Sequence, residues 1–135
     1  MKIKRLLDSY AVLAYLNGEP GAEAVEQAMK DAGNSGSSLL MSEINIGEVY
    51  YILSRKRGPE KADYFFETIL QGLPIKGLPV DFSLILQASR LKAKYPLSYA
   101  DCFAAAQAIR SEASILTGDS EFKAVEALVA IEWLA

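Results

Sequence analysis

Short apolar runs alternate along the chain with longer segments in which apolar residues recur at helical spacing. The runs predict five β-strands, at residues 3–7, 39–41, 75–80, 114–117 and 129–133. The longer segments predict helices over 10–16, 22–32, 42–57, 60–70, 82–95 and 97–108, with a further short helix after Asp119. Repeated alternation of strand and helix indicates the α/β fold class, with a mostly parallel sheet covered by helices on both faces.

Length and composition indicate one globular domain spanning residues 1–135. The chain has 135 residues, of which 51% are hydrophobic and 23% charged, and this combination supports a single substantial core. The longest apolar runs are too short to cross a bilayer, and the first four residues lead into a strand instead of a signal peptide. We therefore expect a cytoplasmic protein without a membrane segment.

The residue types that the chain lacks limit its chemistry. There is no histidine and only one cysteine, Cys102, so an internal disulfide is excluded and a zinc site is disfavoured. Triad chemistry and imidazole acid–base catalysis also need histidine, which leaves carboxylates as the main candidates for catalysis. The net charge of −3 argues against a broad basic surface, so a nucleic acid would have to meet a local basic patch or metal ions.

Four acids occupy positions that suggest a shared site. Asp8 closes the first strand, Asp119 follows the fourth, and Asp101 opens an apolar, alanine-rich helix in which a charge needs a partner or a purpose. The carboxyl ends of parallel strands share one rim, where ligands bind at the point at which the strand order reverses, so Asp8 and Asp119 should lie close together. Glu48 has isoleucines one turn before and after it, so it projects from an apolar helix side.

Each acid also has a purely structural explanation. Ser98 and Asp101 have the spacing of a capping box, the two acids that follow strands suit helix N-caps, and Glu48 could pair with a cation. Asp81 has the same strand-end position, and we interpret it as an N-cap only. A metal-binding cluster, however, explains the other four acids together, because Mg²⁺ and Mn²⁺ take oxygen ligands and suit phosphoryl chemistry.

Four segments carry a resemblance to a known family. They are Asp8-Ser9 after the first strand, residues 44–49 (INIGEV), residues 97–102 (LSYADC) and residues 117–119 (TGD). In this order they resemble the four acidic motifs of PIN-domain ribonucleases, and together they span nearly the whole chain. The length is most similar to that of the VapC-type toxins of bacterial and archaeal toxin–antitoxin pairs. Cys102 departs from the family, which commonly has alanine there, but a small thiol packs similarly.

The resemblance implies a PIN-like three-layer α/β/α fold with a five-stranded sheet and the active site of a metal-dependent endoribonuclease. The catalytic residues that it implies are Asp8, Glu48, Asp101 and Asp119. Asp8, Asp101 and Asp119 would bind Mg²⁺ or Mn²⁺, which activates water and offsets transition-state charge, and Glu48 would position the attacking water or complete the set of ligands. The resemblance further implies an RNA substrate, a homodimer and a cognate antitoxin.

Three further residues lie next to these acids in the sequence. Ser9 and Thr117 are candidates to hydrogen-bond the catalytic acids and so orient them. A cap or turn contact explains each hydroxyl equally well. Glu43 precedes Glu48 by five residues in the same segment. The sequence leaves open whether Glu43 contributes to the site.

The densest positive patch comprises Arg55, Lys56, Arg57 and Lys61. It is a candidate contact for the RNA backbone. The alternative is a solvated helix C-terminus, where positive charge interacts favourably with the helix dipole.

Aromatic residues cluster in the same part of the chain. They are Tyr50, Tyr51, Tyr64, Phe65 and Phe66. In the helix predicted over 60–70, the last three share the apolar side with Ile69 and Leu70. We expect these aromatic residues in the core, and an excess left exposed would mark a partner surface.

Two other classes of protein remain open. A phosphoacceptor receiver domain has similar length, acidity and alternation, but it has an acidic pair at the end of the first strand and a lysine after a late strand. Here Asp8 is followed by Ser9, and Gly118-Asp119 occupies the late position. A non-catalytic binding module on the same fold is the second possibility, and metal-dependent RNA cleavage would distinguish the enzyme from it.

Overall fold

Five parallel strands form the centre of the structure, a computed structural model that describes residues 4–134. The strands are β1 (Arg5–Leu7), β2 (Leu39–Ser42), β3 (Ile75–Leu78), β4 (Ser114–Thr117) and β5 (Ile131–Trp133). Their order is β3-β2-β1-β4-β5, and all neighbouring pairs are parallel. The predicted α/β class and five-stranded parallel sheet are confirmed, while Ile3, the predicted start of β1, lies outside the described residues.

Helices connect these strands on both faces of the sheet. In residues 4–134 they are α1 (Ser9–Asn17), α2 (Ala22–Asn34), α3 (Glu43–Arg57), α4 (Pro59–Tyr64), α5 (Leu70–Gly72), α6 (Phe82–Lys94) and α7 (Tyr99–Ser111). A 3₁₀ helix at Ser120–Val125 follows β4. Ser42 caps α3 and Asp81 caps α6, because each accepts a backbone N–H of the first turn. The cap at Asp81 was predicted, whereas Ser42 was predicted as the first residue of its helix.

The alternation of side chains along each strand divides the core in two. Leu6 of β1 packs with residues of α6 and α7, whereas Leu7 packs with residues of α1, α2 and α3. Successive strand residues point to opposite faces of a sheet, and here both faces are covered. This arrangement is the three-layer α/β/α architecture. No helix in the described part of the chain is long and apolar enough to span a membrane.

The strand order places a topological switch point between β1 and β4. From β1 the chain adds β2 and β3 on one side, then β4 and β5 on the other. Ligands in open parallel sheets bind outside the carboxyl ends of the strands at such a point. The order also differs from the 2-1-3-4-5 order of receiver domains, so it excludes the receiver alternative.

Helix α7 lies next to the switch point and is buried over most of its length. An unbroken stretch from Asp101 to Ala108 is buried, and its alanines allow the helix backbone to lie close to the sheet. Because the stretch begins with Asp101, the same packing that buries the alanines also carries a carboxylate into the interior.

The prediction of one regular α-helix over residues 60–70 is wrong. A π-helical turn, Phe65–Ile69, separates α4 from α5. Ile69 and Leu70, at the end of this turn, still pack against the core as predicted. Phe65 is buried, but Tyr64 is 57% and Phe66 is 51% exposed, so the expectation that all these aromatics lie in the core is also wrong.

Candidate active site

Asp8 lies at the switch point, directly after β1 and before α1. Its Oδ1 accepts a hydrogen bond from the backbone N–H of Ala11 at 2.9 Å, and its Oδ2 accepts one from the hydroxyl of Thr117 at 2.5 Å. Leu7 pairs with Leu116, so the residues that follow them, Asp8 and Thr117, lie side by side. Asp8 is a buried carboxylate that caps α1 and is bound by β4.

Asp101 reaches the same end of the sheet from the first turn of α7. The hydroxyl oxygen of Ser98 accepts the backbone N–H of Asp101 at 3.2 Å, which is the serine half of the predicted capping box. The side chain of Asp101 is buried. Its carboxylate therefore lies inside the protein surface at the start of a helix.

Asp119 and Glu121 meet Asp101 beyond the end of β4. One carboxylate oxygen from each of these three residues lies within 4.8 Å of the other two. Asp119 also caps the 3₁₀ helix by accepting the N–H of Glu121 at 3.0 Å. The hydroxyl of Thr117 accepts the N–H of Asp119 at 3.0 Å and donates to Asp8, so one side chain connects both strand-end acids.

Glu48 enters the site from α3 and is held by α1. The hydroxyl of Ser9 donates to Oε1 of Glu48 and lies 3.3 Å from the backbone carbonyl oxygen of Asn45. The charge of Glu48 is near enough to Asp101 to raise the pKa of that carboxyl. The structure thus brings Glu48 and Ser9 to the edge of the acidic group.

Asn45 is a buried polar residue that fastens this edge. Its Nδ2 donates to the carbonyl oxygen of Ala100 at 3.3 Å, which joins α3 to α7 beside Asp101. The opposite orientation of the amide would bring two acceptor oxygens together, so the contact sets which way the group points. Within residues 4–134, Oδ1 of Asn45 has no hydrogen-bond partner, and leaving a buried acceptor unpaired costs about 1–3 kcal/mol.

The buried acids hold protons unusually tightly. Burial raises the pKa of Asp8 from 3.8 to about 7, and the charges of Asp101 and Asp119 add to the effect. Burial also raises the pKa of Asp101 to about 7, with further contributions from Asp119 and Glu48. Hydrogen bonds to each carboxyl oppose these shifts without cancelling them. Within residues 4–134, no positively charged group is among the causes that set the pKa of either carboxyl.

The donor set fits a hard divalent cation. The atoms brought together by Asp101, Asp119 and Glu121 are all carboxylate oxygens, which Mg²⁺ and Mn²⁺ prefer. Asp8 adds negative charge from the buried side. A cation would relieve the mutual repulsion of these groups. The unpaired Oδ1 of Asn45 is a further buried oxygen, on the helix that carries Glu48.

For two of the acids, the capping explanation and the cluster explanation are both correct. Asp8 and Asp119 are both N-caps, as their structural explanation required, and both also lie in the acidic group. Asp81 differs, because its carboxylate binds the N–H of Leu84 at 2.7 Å and pairs with Arg110 at 3.1 Å. The interpretation of Asp81 as an N-cap is confirmed.

The predicted basic patch lies along α3 and α4, away from the acids. At a rise of about 1.5 Å per residue, Arg55 is roughly 10 Å along the helix axis from Glu48. Its guanidinium lies 5.2 Å from the ring centroid of Tyr51, and Arg57 donates to Oδ1 of Asn17 at 2.7 Å. Lys56 and Lys61 are exposed.

Glu43 lies apart from the acidic group. It is exposed at the start of α3 and lines a separate surface groove of about 740 Å³ with Tyr50, Phe66 and Leu70. The side chains of Tyr50 and Asp63 are hydrogen-bonded at 2.6 Å along the same groove. The structure therefore gives Glu43 a place on a different surface from Glu48.

Two residues of the site escaped the sequence analysis. Glu121 is an exposed acid two residues after Asp119, and its spacing could have identified it, because a residue capping a short helix binds the N–H two positions later. Asn45 lies three residues before Glu48 on α3, one turn away. Nothing in a single sequence distinguishes it from an exposed asparagine.

Comparison with solved structures finds the same fold over nearly the whole chain. DNA-bound VapBC from Salmonella typhimurium matches with a TM-score of 0.76 and 17% identity, covering 99% of this chain and 100% of that one. VapBC2 from Rickettsia felis, bound to a promoter DNA fragment, matches with a TM-score of 0.77 and 15% identity, covering 96% and 98%. VapC20 from Mycobacterium tuberculosis, a sarcin–ricin loop cleaving toxin, matches with a TM-score of 0.73 and 15% identity, covering 90% and 95%.

Sequence comparison identifies the family. No curated protein matches the chain. The model of the PIN domain matches residues 5–128, a range that includes β1, β4 and all of the acids described above. The fold and the family model agree, and the chain belongs to the PIN domain family.

Proposed function

We propose that this protein is a metal-dependent endoribonuclease and the toxin of a VapBC-type toxin–antitoxin pair. The observation that carries the proposal is the group formed by Asp101, Asp119 and Glu121, whose carboxylate oxygens lie within 4.8 Å of one another. Asp8 stands behind this group at the switch point of the sheet. Among the ion pairs formed within residues 4–134, none involves these acids, so ion pairing does not explain their position.

In this proposal the ion is Mg²⁺ or Mn²⁺, held by Asp8, Asp101 and Asp119, with Glu121 as a further candidate. When bound, such an ion lowers the pKa of a water and offsets the charge that develops on the phosphate. Thr117 favours the ionised form of Asp8 by donating to its Oδ2, which opposes part of the effect of burial. It also fixes the backbone of Asp119 through the N–H of that residue.

Glu48 acts on the attacking water. Ser9 binds Oε1 of Glu48, which orients the carboxylate and leaves Oε2 to accept a hydrogen bond from that water. Asn45 supports this position, because it ties the helix that carries Glu48 to the helix that carries Asp101. These residues position and hold a proton acceptor without histidine.

The proposed substrate is RNA, and the proposed location of the protein is the cytoplasm. Three features support RNA: the acidic site, the fold shared with a toxin described as cleaving the sarcin–ricin loop, and the basic patch of α3 and α4. Arg55, Lys56, Arg57 and Lys61 would contact the phosphate backbone.

An antitoxin and a second copy of the chain are the proposed protein partners. Several structures with this fold are toxin–antitoxin complexes, including one from Klebsiella pneumoniae and FitAB bound to DNA. The groove lined by Tyr50, Phe66 and Leu70 has about 740 Å³ of space. Exposed Tyr64 and Phe66 add apolar surface of the kind that marks a partner contact.

Cleavage of RNA by purified protein tests the enzyme. We expect cleavage with Mg²⁺ or Mn²⁺, none in excess chelator, and nearly complete loss in Asp8→Asn or Asp101→Asn. Asp81→Asn, a capping acid paired with Arg110, should retain activity. Cleavage that persists in chelator would refute the mechanism, and a folded, metal-binding protein that never cuts RNA would favour a non-catalytic module.

Expression in cells tests the toxin role separately. We expect induced expression to arrest growth and co-expression of a small protein encoded nearby to relieve the arrest. Mapping of RNA 5′ ends after induction would identify the cleavage site. Normal growth at high yield of folded protein, both in a common host and in the native one, would contradict the toxin role.

A further inference from the structure

We propose that Tyr10 and the groove beside it bind an unpaired nucleotide of the RNA, next to the phosphodiester bond that the acids attack. This subsite rests on the proposed function and specifies which part of the RNA the protein holds. Three observations carry it: the contact of the Tyr10 ring with the acidic loop, the exposure of that ring, and two cations at the far end of the groove.

The Tyr10 ring lies against the loop that carries Asp119. A β-carbon built on Gly118 would be 2.4 Å from Cε1 and 2.9 Å from Cζ of the tyrosine ring. The ring therefore covers the backbone between Thr117 and Asp119. Since Tyr10 also follows Asp8 by two residues in α1, the phenol is held at the edge of the acidic site by two strand ends.

One face of the Tyr10 ring remains open. Tyr10 makes these close contacts and is nevertheless 46% exposed. A ring that is fixed on one side and open on the other presents a flat, rigid surface to a ligand.

A groove of about 160 Å³ leads from Tyr10 between α1 and α3. Leu13 and Leu53 contribute to its apolar floor, and Lys56 and Arg57 line it as well. The groove thus connects a ring at the acidic site with two of the basic residues at the end of α3. It provides a physical path between features that are separate in the sequence.

The cationic end of the groove is ordered by hydrogen bonds. Arg57 donates through one terminal nitrogen to Oδ1 of Asn17 at 2.7 Å, and Nδ2 of Asn17 donates to Glu19 at 3.2 Å. Glu19, an acid at this end, is therefore engaged by Asn17. Arginine has five N–H donors, so one contact to Asn17 leaves others for a phosphate.

An unpaired nucleotide matches both ends of the groove. Its base offers a flat face for the ring, and its phosphate offers negative charge for Lys56 and Arg57. Bases in a duplex are stacked on each other and cannot lie on a side chain in this way. Removing one base–aromatic stack weakens single-strand binding by roughly five- to a hundredfold, and we expect about tenfold here.

Binding and cleavage of a short unpaired RNA test the subsite. Fluorescence anisotropy in chelator measures affinity without cleavage, and steady-state kinetics with Mg²⁺ measures KM and kcat. We expect Tyr10→Ala to weaken affinity and raise KM about tenfold. Tyr10→Phe, which keeps the ring, should bind as the wild type does. A fully paired duplex of the same sequence should bind both variants equally.

Phe82→Ala is the control. Phe82 is 70% exposed at the start of α6 and does not line this groove, so its removal should leave RNA affinity unchanged. Ultraviolet crosslinking of a 5-iodouridine RNA, followed by peptide mass spectrometry, should modify Tyr10 and spare Phe82. Thermal unfolding of each variant separates lost binding from lost folding.

The outcomes distinguish this subsite from the proposed function. If the wild type neither binds nor cuts any RNA, both are wrong. If the wild type cuts RNA but Tyr10→Ala behaves as Phe82→Ala does, the subsite alone is wrong. It is equally wrong if Tyr10→Ala keeps its RNA affinity and instead loses a co-expressed antitoxin, because the groove then binds protein.

Discussion

Thr117 Oγ1 lies 2.5 Å from Oδ2 of Asp8, so a strand-end hydroxyl is the cross-strand partner of the most buried acid in the site. The two residues are far apart in the sequence and adjacent in the sheet, because β1 and β4 pair at the switch point. The same oxygen accepts the N–H of Asp119. One small side chain thus sets the relative positions of two acids.

Replacing Thr117 with valine should destabilise the protein in a pH-dependent way. Near pH 8 the carboxyl of Asp8 is ionised, and loss of its hydroxyl donor should cost about 1.5–3 kcal/mol of unfolding free energy. Near pH 5 the folded protein holds Asp8 protonated, because its pKa is about 7, so the cost should be smaller. Denaturant unfolding at the two pH values measures the difference.

Thr117→Ser is the control for that experiment, because it keeps the hydroxyl and removes only a methyl group. It should retain most of the stability at both pH values. An equal loss for Thr117→Val at pH 5 and pH 8 would mean that the bond to Asp8 does not favour the ionised form.

Divalent metal should stabilise the wild type by binding only its folded form. At a hundredfold excess over the dissociation constant the gain is about 2.7 kcal/mol. Without metal, Asp101→Asn should raise stability near pH 8 by on the order of 2 kcal/mol, because it removes a buried charge. Thermal melts with and without Mn²⁺ or Mg²⁺ measure both effects.

Asp81→Asn controls for the general loss of an acid, and it should respond to metal as the wild type does. Asp8→Asn should respond less. If millimolar metal leaves the wild-type melt unchanged, or if Asp81→Asn loses the response while Asp8→Asn keeps it, the proposed site is misplaced.

The stability of the metal-free protein should fall as the pH rises from about 5 to about 8. The pKa values of Asp8 and Asp101 are raised from 3.8 to about 7 in the folded protein. Between these values the folded state binds more protons than the unfolded state, so stability is greatest at the acid end and is lost as the pH rises through about 7. Unfolding in chelator across this range tests the sign, and Asp8→Asn should make the slope shallower.

Gly118→Ala should disturb the ring of Tyr10. The backbone of Gly118 lies outside the left-handed region, so the strain comes from the added methyl group, which meets the ring at 2.4 Å. We expect a cost of about 1–2 kcal/mol in the wild type. In a Tyr10→Ala background the same change should be nearly neutral, and a double-mutant cycle measures the difference. Equal costs in both backgrounds would show that the ring is not the obstacle.

Local sequence signals predicted the frame of the site but not all of its contents. Cap chemistry depends on neighbouring residues, and the predicted cap at Asp81 is confirmed. The helix predicted from Ser42 begins one residue later, with Ser42 as its cap. Glu121 was missed because it meets Asp101 only in the folded structure, beyond the end of β4. Asn45 was missed because its partner, Ala100, lies on another helix. The π-helical turn at Phe65–Ile69 was missed because the hydrophobic spacing there also fits an unbroken α-helix.

Asp8 and Asp119 each cap a helix and also belong to the acidic group. This combination bears on how such a protein can lose its activity during evolution. Each begins a helix with the carboxylate that it also offers to the acidic group. Asparagine starts helices about as well as aspartate, and one base change in a codon converts one into the other. Under the function proposed above, a cell that this protein harms therefore has a short mutational route to an inactive copy that still folds.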